Sequence, residues 1–310
     1  MINKVSLSER DVCTKYITPA IEKSGWDIQF QMKEEVTFTD GRIYVRGRMT
    51  TRGSRKRADY ILYYKPNIPI AIIEAKDNNH SVRSGIQQAL EYAQILDIPC
   101  VFSSNGKGFL FHDRTASGGD VETELSMDDF PSPQELWEKY KVYKGIASPS
   151  AEIIASQDYY FDSSGRKPRY YQQIAINRTV EAIANGQNRI LLVMATGTGK
   201  TYTAFQIIHR LWKCGAKKRI LFLADRNALI DQTRRGDFKH FKEKMTVVKH
   251  RQVDKSFEIY LALYQGLSGT DDAANIYKQF SPGFFDLIVI DECHRGSAKE
   301  DSSWREILTY

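Results

Sequence analysis

Residues 189–201 read RILLVMATGTGKT, an unbroken apolar run that gives way to two glycines, a lysine and a threonine. A short apolar run closed by glycine is what a strand in a parallel sheet covered on both faces requires, so 190–194 is expected to be a buried strand. From Thr201 onward the pattern is helical. Between them Thr196, Gly197, Thr198 and Gly199 form a loop whose backbone N–H groups can turn inward. The helix N-terminus adds partial positive charge and Lys200 a full one, which makes a cradle for a polyphosphate. Lys200 then reaches the β- and γ-phosphates of ATP, and the Thr201 hydroxyl holds Mg²⁺. Gly-x-Gly-Lys-Ser/Thr arises by chance in roughly one chain in a hundred of this length at ordinary residue usage. The bland alternative is a glycine-rich turn with a solvated lysine. The fuller phosphate-loop pattern wants glycine where this chain has Met194.

With 310 residues, 42% hydrophobic and 26% charged, the chain has the size for two domains and the composition of an ordinary globular protein. No run approaches 18 apolar residues and the first ten residues lack a signal-peptide core, so a cytoplasmic protein without membrane contact is expected. Cys13, Cys100, Cys214 and Cys293 have no C-x-x-C spacing, which argues against a metal cluster or disulfides. The net charge of +6 is modest but unevenly spread. Arg42, Arg46, Arg48, Arg52, Arg55, Lys56 and Arg57 follow one another with no acid among them. Such a stretch is either a solvated face or a phosphate-contacting loop, and Arg52, Arg55, Lys56 and Arg57, leading straight into carboxylates, favour DNA contact.

In chain order, Ser8 with Asp11 three residues on is a capping box that opens a helix. Pro19 should bend it and Gly25 end it. Strands are expected over 58–64 and 68–76, a helix over 82–96, and strands over 99–104 and 109–112. Residues 1–143 thus form one α/β domain with a small mixed sheet. Residues 144–168 collect Gly, Ser and Pro and are expected to link it to a second domain, 169–310. There a helix over 170–185, the phosphate loop, and strands over 219–224, near 246 and 258, and over 285–291 alternate with helices. That alternation is a doubly wound parallel sheet.

The strand ending Glu74-Ala-Lys76 places Glu74 and Lys76 on one face, since alternate residues of a strand share a face. With Asp59 opening the neighbouring strand, two carboxylates and an ammonium come together. Two carboxylates with open positions suit Mg²⁺, and Lys76 can orient a water or offset developing charge. Glu-x-Lys alone means nothing, and a salt bridge at a strand end is the alternative. In the second domain Asp291 and Glu292 follow an apolar run, at the carboxyl end of a strand where α/β sheets bind ligands. Asp291 is placed to hold Mg²⁺ and Glu292 to position the hydrolytic water.

The loop ATGTGKT resembles motif I, and Asp291-Glu-Cys-His294 motif II, of superfamily 2 helicases and translocases. Arg169-Tyr-Tyr-Gln172 is similar to the Q-motif, which implies that Gln172 reads adenine. Leu223-Ala-Asp-Arg226 with Leu229 and Gln232 resembles motif Ia, and Ala262-Leu-Tyr-Gln-Gly266 lies where such motors carry another DNA-facing segment. The set Asp59, Glu74, Lys76, then Gln88 and Tyr92, resembles the PD-(D/E)-x-K nucleases as they occur in type I restriction enzymes. By that resemblance Asp59 and Glu74 ligate the metal, Lys76 serves the attacking water, Gln88 and Tyr92 flank the site, and Glu9 matches an acid of the first helix. A nuclease preceding a motor is the order of the type I motor and nuclease subunit, whereas type III subunits carry the nuclease last. The resemblance therefore implies ATP-dependent translocation on double-stranded DNA coupled to Mg²⁺-dependent cleavage, in a complex with methyltransferase and specificity subunits. The chain stops soon after motif II, so a fragment lacking the second motor domain, and inactive alone, is expected. Two alternatives stay open: a stand-alone helicase–nuclease of repair or defence, and a DNA-binding module with an inert nuclease.

Overall fold

A computed structural model describes residues 7–39, 43–46, 49–225, 227–248, 253–263, 267, 275–292, 307–308 and 310. The side chains of 43–46, 49–52 and 227–229 lie outside that description. The chain divides into two compact units. The first comprises Met1–Asp158 and Ser163–Ile190, the second Tyr159–Asp162 and Leu191–Tyr310.

The first unit opens as its sequence directs. Ser8 accepts the Asp11 N–H and Asp11 accepts the Ser8 N–H, closing the capping box of α1 (Glu9–Val12). Pro19 has no N–H to return to the preceding turn, and the chain widens into a π-helical turn, Cys13–Ile17, before α2 (Thr18–Lys23). The six-stranded sheet runs β1 (Met32–Thr39), β4 (Arg55–Lys65), β5 (Ile68–Ala75), β6 (Cys100–Ser104), β7 (Phe109–Asp113), β8 (Glu122–Leu125). Only the β5–β6 pair is parallel, so the sheet is mixed. Strands β2 (Ile43–Arg46) and β3 (Met49–Arg52) form a separate hairpin.

Alternation along β4 explains the layers. Tyr60 and Leu62 join a core with Val12, Ile17, Ile21 and, from α4 (Pro133–Lys144), Trp137. Ile61 and Tyr63 join the opposite core with Ala89, Ala93 and Leu96 of α3 (Ile86–Leu96). Covered on both faces, β5 can be apolar from Ile68 to Ile73, and Ile70, Ala71, Ile72 and Ile73 are all fully buried.

Composition hides order in 144–168. Ser148 caps α5 (Pro149–Ala155), whose Ala151 and Ala155 enter the first core. Helix α6 (Tyr170–Ala184) also belongs to the first unit. Asn177 donates to the Asn67 carbonyl, Arg178 grips Asp97 through two nitrogens, and the Tyr140 hydroxyl donates to Glu181.

The second unit is a four-stranded parallel sheet in the order β10 (Met245–Val247), β11 (Ile259–Leu263), β9 (Ile220–Ala224), β12 (Leu287–Ile290). Ile220 and Phe222 pack toward Phe205 and Ile208 of α7 (Lys200–Lys213), and toward Ile230 of α8 (Asn227–Arg235). Leu221 and Leu223 pack on the other face with Tyr260 and Phe280. The buried strand expected over 190–194 is absent: the run belongs to no strand, and Leu191 and Val193 are 74% and 88% exposed. An apolar run becomes a strand only where a neighbour satisfies its N–H and C=O groups, and none of the described strands pairs with it.

Candidate functional site

In the first unit Asp59 lies on β4 and Glu74 on β5, both on the face that packs against α3. Asp59 Oδ2 accepts the Ala75 N–H at 2.8 Å, which pins its carboxyl against the end of β5. Glu74 is 1% exposed; its Oε2 accepts Gln88 Nε2 at 2.9 Å. The same Gln88 nitrogen donates to the Tyr92 hydroxyl, one turn along α3, at 3.2 Å, and its Oε1 lies 3.4 Å from Lys76 Nζ. Lys76 also pairs with Glu9 at 3.3 Å. The structure thus brings together all five residues singled out in the sequence, with Glu9 at the rim.

One further residue makes this possible. Gly85, just ahead of α3, lies so close to the sheet that an added Cβ would meet Ser103 Cβ at 3.2 Å and Glu74 Cβ at 3.3 Å. Glycine lets α3 approach, and with it Gln88 and Tyr92. A lone glycine before a helix carries no signal of this in a sequence.

Burial and mutual charge set the protonation of the two carboxyls. Burial, and then the Asp59 charge, push the Glu74 carboxyl up to about 9. Burial also raises Asp59, against the Ala75 N–H that favours its charged form. Glu74 Oε1 is buried with no hydrogen-bond donor. Two converging carboxyls, one with an oxygen that lacks a donor, call for a shared proton or a shared cation. No group of three or more His, Cys, Asp and Glu able to hold a metal occurs among the described residues.

The basic residues that open β4 have partners that sequence order concealed. Lys56 Nζ meets Glu91 of α3 and lies 5.5 Å from the centre of the Tyr92 ring. Arg57 pairs with Glu35 of β1 at 3.4 Å, and Arg55 donates to Thr37. The acids absent locally come from across the sheet and from α3. Arg42 and Arg48 lie outside the described residues, as do the side chains of Arg46 and Arg52.

In the second unit Gly197 and Gly199 have φ of +79° and +84°, backbone that other residues adopt at a cost. Thr198 closes the turn, its N–H and hydroxyl both donating to the Ala195 carbonyl. Nothing lies within 4 Å of where a Cβ on Gly197 would stand, so the loop faces open space. Lys200 and Thr201 form the first turn of α7. Lys200 Nζ sits 2.5 Å from Glu292 Oε1. Asp291 follows β12, where its N–H donates to the Leu223 carbonyl. Burial and its neighbour Glu292 raise the Asp291 carboxyl above the usual range. A glycine-rich loop and a lysine at the head of α7, with two acids at the carboxyl end of β12, are residues that could hold a nucleotide with its Mg²⁺.

Arg169 and Gln172 belong to the first unit. Gln172 is buried, and its Oε1 accepts the Arg169 N–H, closing the cap of α6. Arg226, Tyr264, Gln265, Gly266, Cys293 and His294 lie outside the described residues.

Two family models match the chain: "Type I restriction enzyme R protein N terminus" over residues 29–119, and "Type III restriction enzyme, res subunit" over 166–310. The chain is 56% identical, over its whole length, to the type I restriction enzyme EcoAI endonuclease subunit of Escherichia coli. The chain belongs to the type I restriction R-subunit family. It corresponds to the N-terminal part of such a subunit, spanning 38% of the EcoAI protein. The EcoKI endonuclease subunit of E. coli K12 is 28% identical over 79% of the chain and 25% of its own length. A solved fragment of an HsdR subunit from Vibrio vulnificus superposes with a TM-score of 0.79 at 39% identity, covering 99% of this chain and 54% of that one. The mixed sheet with its acid pair falls largely in the region matched by the R protein N-terminus model, and the glycine-rich loop in that matched by the res-subunit model. No helix among the described residues is long and apolar enough to cross a membrane.

Proposed function

We propose that this chain is the nuclease and first motor domain of a restriction subunit that translocates double-stranded DNA at the expense of ATP and cleaves it with Mg²⁺. The single observation that carries the cutting half is the donorless Glu74 Oε1 beside Asp59, with Lys76 on the same face. Asp59 and Glu74 would hold the divalent ion. When bound, the ion lowers the pKa of a water and offsets phosphate charge. Lys76, steadied between Gln88 and Glu9, orients that water and neutralises charge developing on the phosphate. Gln88 keeps Glu74 turned toward the ion, and Tyr92 keeps Gln88 in place. Arg52, Arg55, Lys56 and Arg57 supply phosphate contacts that hold the duplex, part of which must be released from Glu91 and Glu35.

In the motor, the backbone of Thr196, Gly197, Thr198 and Gly199 cradles the phosphates of ATP, and Thr201 and Asp291 hold its Mg²⁺. Lys200 exchanges Glu292 for the β- and γ-phosphates. That exchange frees Glu292 to position the attacking water. Gln172 and Arg169 are assigned to the adenine. Methyltransferase and specificity subunits complete the enzyme in the cytoplasm.

The test is a pair of variants in the full-length subunit assembled with its partners. Lys76→Ala should lower DNA cleavage at least 100-fold and leave ATP hydrolysis unchanged. Lys200→Ala should abolish hydrolysis and, with it, translocation-dependent cleavage. Equal loss of both activities in Lys76→Ala, or retained ATP turnover in Lys200→Ala, contradicts the assignment.

A further inference from the structure

Between two stretches of the first unit, the four residues Tyr159–Asp162 belong to the second. Their attachment is built, not incidental. The side-chain amide of Gln206, fully buried on α7, clasps the backbone of Tyr160 from both sides: its Oε1 accepts the Tyr160 N–H at 2.8 Å and its Nε2 donates to the Tyr160 carbonyl at 3.1 Å. That is the hydrogen-bond pattern of a neighbouring strand, supplied by one side chain. The Tyr202 hydroxyl, one turn earlier on α7, accepts from the same Nε2 at 3.1 Å and fixes the amide's orientation.

The side chains of the segment are held as firmly. Tyr159 is buried and lies under the guanidinium of Arg210, itself only 1% exposed, at 5.4 Å. The Tyr160 ring packs edge-on against Phe205 and His209 of α7, and its hydroxyl lies 2.8 Å from His240 Nδ1. His240 Nε2 in turn lies 3.5 Å from Asp162, closing the segment on itself. Gln206, His209 and Arg210, three and four residues apart, share one face of the helix that begins at Lys200 and Thr201.

We propose that Tyr159–Asp162 is a coupling strap: the part of the connector that rides on α7, so that any shift of the phosphate-loop helix is passed along the backbone to the chain on either side. The strap itself stands on the contacts of α7. Its response to nucleotide rests on the phosphate-loop reading above.

Hydrogen–deuterium exchange on the full chain tests both parts. In the wild type the peptide containing Tyr160 should exchange as slowly as α7. Gln206→Leu, which fills the same space without the clasp, should speed exchange at 159–162 at least tenfold while the α7 core stays protected. Tyr160→Phe, which keeps the clasp and loses only the hydroxyl, should give a smaller change confined to the segment. Fast exchange at Tyr160 in the wild type, or no change in Gln206→Leu, overturns the strap. With ATP and Mg²⁺ added, α7 and strap protection should rise together in the wild type and separately in Gln206→Leu. A change in α7 that leaves the wild-type strap unaltered also overturns the proposal. No change in either, together with no nucleotide binding by equilibrium dialysis, contradicts the phosphate-loop reading instead, and the first comparisons still decide the strap.

Discussion

Glu74 carries the clearest physical signature in the chain, a carboxyl driven by burial and by Asp59 to hold its proton up to about pH 9. A raised pKa in the folded state means that the native chain binds this proton more tightly than the unfolded chain. The stability it contributes is therefore complete below the unfolded value of 4.5 and is lost as pH rises through the folded value near 9. Glu74→Gln keeps the acceptor for Gln88 and never ionises. It should stabilise the metal-free first unit by about 1–3 kcal/mol at pH 9, the usual cost of a buried group without its partner, and by little at pH 4.5. Thermal unfolding at the two pH values checks this; an equal effect at both would contradict the sign. In the second unit Lys200 pairs with Glu292.

At the scale of elements, β4, β5 and α3 were legible because alternation and helical period survive wherever both faces of a sheet are covered. Glu74, Lys76, Gln88 and Tyr92 followed from them, since two residues along a strand and four along a helix return to one face. What escaped was whatever depends on a neighbour. Residues 190–194 are as apolar as any strand here, yet they pair with none of those described. The Gly/Ser/Pro-rich 144–168 holds a capped helix and the strap, because Ser148 and Gln206 supply what composition does not advertise. The basic residues that open β4 meet acids on β1 and α3 that linear order could not reveal. Gly85 is invisible in a sequence but sets the distance between α3 and β5. Gly85→Val should force α3 off the sheet, cost about 1–3 kcal/mol in overpacking and weaken divalent-ion binding at least tenfold. Nucleotide affinity should be unchanged, which fluorescence titration with a labelled ATP analogue would show.

On the scale of the whole molecule, the chain sets out an acid pair in the mixed sheet of one unit and a glycine-rich loop at the head of a helix in the other. The fold class was legible as a whole from the order of strands and helices, while the boundary was not, since α6 packs with the first unit through Asp97, Asn67 and Tyr140. Isothermal titration of the nucleotide-free chain with Mn²⁺ near pH 7.5, in two buffers of different ionisation enthalpy, addresses the central assignment directly. The wild type and Lys200→Ala should each bind one ion with release of a proton from the acid pair, and Glu74→Gln should lose both the binding and the proton. Undiminished Mn²⁺ binding in Glu74→Gln, with no buffer dependence in the wild type, would show that Asp59 and Glu74 are not the metal site.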